Sequence, residues 1–227
     1  MNMSSDDFRL LIEQGNVEGV RAALNSDSEL ANQTIRWTLN QVNESDPLHY
    51  VSDCVGNGWL TNGNEEQIAK LLLEYGANIN GGRPRETPLL GAVSFGVESV
   101  SKVLIQAGAD LEATSVFGAR ALHWSAWLGM RSTVALLTER GAEIDARCSE
   151  FGGTPLYWAV HGFGPNGPKQ KKDQLGAASR LMKAGAKVET QNRSGLSAME
   201  LAMSCESKDM FELLVGSPNR GEESAQK

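Results

Sequence analysis

The chain has 227 residues, enough to bury a substantial core as one large domain or two small ones. Its 41% hydrophobic and 22% charged residues are ordinary for a globular protein, and a formal charge of -7 argues against general nucleic-acid binding, which draws most of its affinity from a basic surface. Three widely spaced cysteines, Cys54, Cys148 and Cys205, fit scattered reduced thiols better than a disulfide framework, and without a C-x-x-C pair no zinc site is expected.

Met1 to Phe8 are polar and acidic, with no basic start leading into an apolar run, so no secretory signal is expected. Nothing in the chain approaches the roughly 20 apolar residues of a membrane span. The expectation is a cytoplasmic protein with a flexible start over residues 1–5. Residues 8–24 read as two helical stretches on either side of Gly15-Asn16, and residues 33–46 as an extended connection that includes Trp37.

From there the chain repeats itself. Pro47-Leu-His-Tyr, Thr87-Pro-Leu-Leu, Ala121-Leu-His-Trp and Thr154-Pro-Leu-Tyr carry leucines spaced 41, 33 and 34 residues apart. Each is followed by an apolar helical run ending in Gly-Ala, at Gly76, Gly108, Gly141 and Gly185, and then by an alternating tail such as Asn78-Ile-Asn or Glu143-Ile-Asp. Thr-Pro sets a hydroxyl at a helix N-cap and a proline at the first helical position, where its missing N–H costs nothing. The glycine after the second helix is free to take the left-handed conformation that ends it. One such unit cannot bury its own apolar face, so several must stack. The last stretch, from Asn192 through Phe211-Glu-Leu-Leu, begins a further unit without the Thr-Pro or Gly-Ala landmarks, and the tail from Asn219 to Lys227 is polar and expected to be disordered.

These residues resemble the ankyrin repeat over roughly residues 6 to 215. The resemblance implies an all-α fold, an ankyrin-repeat solenoid of about six helix-turn-helix units with β-turn fingers and terminal units acting as caps. The expected boundaries are a cap at 6–32, an extended finger at 33–46, repeats at about 47–85, 86–118, 119–152 and 153–191, and a C-terminal cap at 192–218, within a domain of 6–218. The repeat averages 33 residues, so two insertions stand out in the helix–helix turns. One lies near residues 55–63 and carries Trp59 as an exposed aromatic candidate. The other lies near 163–172 and carries Lys169, Lys171 and Lys172. Long loops on a rigid scaffold carry function or are tolerated drift, and the sequence leaves both open. Neither glycine-rich loop ends in the Gly-Lys-Ser/Thr of a phosphate-binding loop.

The resemblance also implies a partner on the concave surface of fingers and first helices. Trp124 and Trp127 are three apart and share a helix face. Trp158 and His161 occupy the matching positions 34 residues on. Trp124 and Trp158 stand where the family packs a leucine, whereas Trp127 and His161 stand at positions the family exposes and varies. Tryptophan is enriched at binding hot spots, which favours Trp127. Phe95, Val116, Phe117 and Phe151 extend the same side. His49 and His123 fall in the Leu-His positions, where the family histidine makes structural hydrogen bonds to the neighbouring finger. No catalytic constellation, cofactor motif or metal spacing is readable. The reading is a monomeric, non-catalytic protein-interaction module, a regulator or inhibitor. The alternatives are a small-molecule or peptide sensor using the repeat-four loop and the tryptophan patch, and a scaffold subunit of a larger complex.

Overall fold

The structure is a computed structural model that describes residues 4–39, 41–82, 87–165, 167–168, 173–205 and 207–216. The chain divides into two compact units, Met1–Asp110 and Leu111–Lys227.

In the first unit, α1 (Ser5–Glu13) and α2 (Val17–Ser26) form a pair joined through Gly15 at φ 62°. Ser4 caps α1 by accepting from the Asp7 N–H, so helical order begins within the stretch expected to be flexible. After a short 3-10 turn, Ser28–Ala31, the extended finger is an antiparallel hairpin of β1 (Ile35–Thr38) and β2 (Val42–Ser45), with Ile35 opposite Ser45 and Trp37 opposite Asn43. Its pleat sends Ile35 into the core and leaves Arg36 and Thr38 in solvent. Then follow α3 (Pro47–Gly56), α4 (Glu65–Glu74), α5 (Pro88–Ser94) and α6 (Glu98–Gln106). First helices pack on first helices, α1 on α3 and α3 on α5, and second helices do the same, α2 on α4 and α4 on α6. Phe8, Ile12, Leu24, Leu48, Tyr50, Ile68, Leu72, Leu89 and Leu104 fill the space between them.

Tyr50 is the hub of this unit. Its hydroxyl donates to Glu13 Oε1 at 2.5 Å, which ties α3 to the first helix, and Glu13 also receives Arg9. Trp37 lies 4.7 Å from the Tyr50 ring and Trp59 lies 6.2 Å from it. Trp59 is therefore half-buried rather than exposed, because its loop folds back and covers the tyrosine. Burial first, and the Glu13 carboxylate second, push the Tyr50 phenol above its ordinary range.

The second unit holds α7 (Ala121–Trp127), α8 (Arg131–Glu139), α9 (Pro155–Phe163), α10 (Gln174–Lys183), α11 (Ala198–Ser204) and α12 (Lys208–Val215). The two-layer rule recurs: α7 packs on α9 and α9 on α11, while α8 packs on α10 and α10 on α12. Six helix pairs thus stand among the described residues. The stretches 1–3, 83–86 and 217–227, with Lys169, Lys171, Lys172 and the expected tail, lie outside them.

Local chemistry explains the repeats. Thr87 Oγ1 accepts from the Leu90 N–H and Thr154 Oγ1 from the Tyr157 N–H, each with proline at the start of its helix. Gly76, Gly108, Gly141 and Gly185 close the second helices at φ between 84° and 101°, a region that favours glycine. The alternating tails have a purpose the pattern alone did not give. Asn80 accepts from the Asp110 N–H in the first unit. In the second, Glu112 accepts from the Glu143 N–H and Asp145 from the Lys187 N–H. Each polar residue thus binds the backbone just after the next Gly-Ala and fixes the spacing of consecutive fingers. Among the described residues, no helix is long and apolar enough to cross a membrane.

Candidate partner-binding site

The second unit gathers six of the aromatic and histidine candidates around one cavity. Trp124 and Trp127 come from one face of α7, Trp158 and His161 from α9, and Phe117 and Phe151 from the fingers that precede these helices. The fingers are clasped: the Ser149 and Glu150 N–H groups both donate to the Phe117 carbonyl, at 3.1 and 3.2 Å. The next finger joins them, as Arg193 N–H donates to the Phe151 carbonyl and Arg193 Nη1 to the Glu150 carbonyl.

The rings meet at defined angles. Trp124 stands 5.3 Å from Trp158 at 73° and 5.8 Å from Trp127 at 78°, both near-perpendicular arrangements that aromatic quadrupoles favour. Phe151 lies almost parallel to Trp158, 5.4 Å away at 18°, and Phe117 tilts toward Trp124 at 6.2 Å. Together with Glu150 and His161 these rings line a cavity of about 220 Å³. Trp158 is the buried floor at 7% exposure, Trp124 and Trp127 are half-buried, and Phe117 stays 42% exposed at the mouth. Trp158 Nε1 is buried with no hydrogen-bond partner among the described residues.

Beneath Trp158 lies His123, 5.5 Å from it and edge-on. Its Nδ1 accepts from the Arg120 N–H, so the proton sits on Nε2, which donates to the carbonyls of Ala146 and Gly153. These are finger carbonyls, and they make His123 a clasp between repeats. Burial lowers its pKa to about 4, against the opposing pull of the two carbonyls, and the ring is neutral near pH 7. His49 Nδ1 faces Ser45 Oγ and Asp53 Oδ2 within its own repeat. Among the described residues no group of three His, Cys, Asp or Glu side chains is placed to hold a metal.

The remaining candidates sit elsewhere. Val116 is 68% exposed beside Phe117 but is not among the residues lining the cavity. Phe95 is exposed in the first unit, its ring against Gly56, and is not among the residues lining the cavity. Trp37 and Trp59 belong to the Tyr50 cluster. Glu150 lines the cavity and was not anticipated, although it stands 34 residues after Val116 and so shares that finger position.

A family model for ankyrin repeats, in three copies, matches residues 59–148. Over these residues the chain carries ankyrin repeats. Stacked repeats of this kind present extended binding surfaces, and ankyrin repeats generally mediate protein–protein binding. The chain is similar to palmitoyltransferase Hip14 of Drosophila melanogaster, 28% identical over 113 residues, which are 50% of this chain and 16% of that protein. It is similar to NF-kappa-B inhibitor delta of Mus musculus, 26% identical over 145 residues, covering 59% of this chain and 44% of the relative. It is also similar to the B-cell lymphoma 3 protein homolog of Mus musculus, 37% identical over 93 residues, covering 41% and 18%. The chain spans less than half the length of each of these curated relatives. The palmitoyltransferase match is to the ankyrin repeats of that protein.

Proposed function

We propose that this ankyrin-repeat chain is a non-catalytic interaction module that holds a protein partner on the aromatic face of α7, α9 and their fingers, and that it acts as a regulator. The observation that carries the reading is the cavity itself, where three tryptophans and two phenylalanines line open space without another part of the described chain filling it. Large aromatic side chains left partly in water at one place are the composition of a binding hot spot. The neutral, clasped state of His123 supports a structural rather than a catalytic role for the histidine under the site. Similarity to NF-kappa-B inhibitor delta supports the regulatory part.

The test is capture of binding partners by immobilised wild type, Trp127→Ala and Phe95→Ala. The expectation is that Trp127→Ala loses a partner that wild type and Phe95→Ala both retain, with all three proteins melting cooperatively. Equal recovery by all three overturns the assignment of this face. The aromatic lining, with Glu150 and His161 as its polar groups, also favours a second reading, a sensor for a small molecule or peptide. That reading predicts a ligand that raises the melting temperature, because binding to the folded state alone stabilises it.

A further inference from the structure

We propose that the cavity takes a methylated ammonium group, carried on a lysine side chain of the protein partner. The inference rests on the reading of this face as partner-binding and names the chemistry of what enters it. A ring face carries the negative lobe of the aromatic quadrupole, so a cation held over it is attracted, most strongly by tryptophan. Here Trp124 is close to perpendicular to both Trp127 and Trp158, so indole rings in two near-orthogonal orientations border one space. A compact, strongly hydrated ammonium pays heavily to leave water for such a lining. A methylated ammonium keeps the charge and spreads it over an apolar surface that fits ring carbon.

Charge complementarity points the same way. Glu150 is the one Asp, Glu, Lys or Arg among the described lining residues, and its carboxylate has no ion-pair partner among the described residues. Arg193 engages the Glu150 backbone carbonyl, not that carboxylate. The formal charge of -7 adds long-range attraction for a cationic segment. One further feature favours a side chain on a polypeptide over a free quaternary amine: Val116 and Phe117 continue exposed apolar surface beyond the mouth, where a backbone would lie.

The test titrates the full chain with four probes, read by calorimetry and tryptophan fluorescence. They are Nε-trimethyl-lysine blocked as the acetyl methylamide, its neutral carbon isostere with a tert-butyl end, the equally blocked unmodified lysine, and choline. The blocked trimethyl-lysine is expected to bind about 10-fold more tightly than the isostere, in line with a partly desolvated cation–π contact, and more tightly than unmodified lysine or choline. Glu150→Gln is expected to weaken the trimethyl-lysine about 3-fold and leave the isostere unchanged. That variant alters an exposed side chain and spares the core. Equal or tighter binding of the isostere, or no binding of trimethyl-lysine at millimolar concentration, overturns the proposal. Choline binding as tightly as blocked trimethyl-lysine overturns the assignment to a polypeptide. None of these outcomes touches the partner-capture result with Trp127→Ala, so the two readings fail separately.

Discussion

The backbone carbonyl of Trp127 approaches Gly162 so closely that a Cβ on that glycine would meet the oxygen at 2.2 Å. This contact sets α7 against α9 and brings the two tryptophan-bearing helices within reach of one cavity. Gln174 Nε2 donates to the same carbonyl at 3.3 Å, which fixes it from the other side. Gly162→Ala is expected to push the helices apart and cost about 1–3 kcal/mol, the range for forcing an extra methyl into a packed contact. Urea denaturation measures the loss, and tryptophan fluorescence reports the opening of the cavity. A variant as stable as wild type with an unaltered emission spectrum would show that the contact is dispensable.

That long-range contact was not legible in the sequence, whereas the repeat landmarks were. The leucine spacing, the Thr-Pro starts and the Gly-Ala ends are local signals, because capping and left-handed turns depend on neighbours in the chain. The grouping of Trp124, Trp127, Trp158 and His161 followed from helical spacing within one repeat and the 34-residue step to the next. Features set by long-range packing escaped. Trp59 was expected in solvent, yet its loop lies over Tyr50. The hairpin of residues 35–45 is too short for its alternation to stand out from a loop. Glu150 enters the site because its finger is hydrogen-bonded to the Phe117 carbonyl, a contact no pattern within the finger announces.

His123 gives the fold a pH dependence whose sign can be worked out. The folded state takes up the imidazole proton near pH 4, whereas the unfolded chain takes it up near 6.5. Between those values the unfolded state binds the extra proton, so stability contributed by the neutral ring is complete above about 6.5 and falls as the pH is lowered. The slope is about 1.4 kcal/mol per pH unit and flattens below the folded value. Unfolding free energies at pH 7, 6 and 5 for wild type and His123→Gln check this. The glutamine variant should lose most of the slope across that window, whatever its absolute stability. An unchanged slope would assign the dependence to other groups.

Thr154 and Thr87 make equivalent caps and allow a matched pair of substitutions. Thr154 is buried and its Oγ1 accepts from the Tyr157 N–H at 3.3 Å, at the start of the helix that carries Trp158. Thr154→Ala is expected to cost about 1 kcal/mol, while Thr154→Ser, which keeps the acceptor, should cost less. Thr87→Ala should give a similar loss through the Leu90 N–H. Thermal unfolding ranks the variants. Alanine and serine with equal effect would mean that the methyl group, not the hydroxyl, is what the site uses.

Tyr50 offers the most direct probe of how the first helix is held. Its ring is fully buried under Trp37 and Trp59, and its hydroxyl reaches Glu13 across from α3 to α1. Tyr50→Phe keeps the ring and removes only the hydroxyl. Hydrogen bonds to charged groups contribute about 1.5–3 kcal/mol, and a loss in that range is expected. Glu13 retains Arg9 as a partner, so the carboxylate is not left alone and the loss should fall toward the lower end. Amide hydrogen exchange locates the effect: protection should drop first in α1 and α2, which the tyrosine ties to the rest of the unit, and least in α5 and α6. A uniform drop across all six helices of the unit would mean that Tyr50 supports the whole core rather than the attachment of the cap.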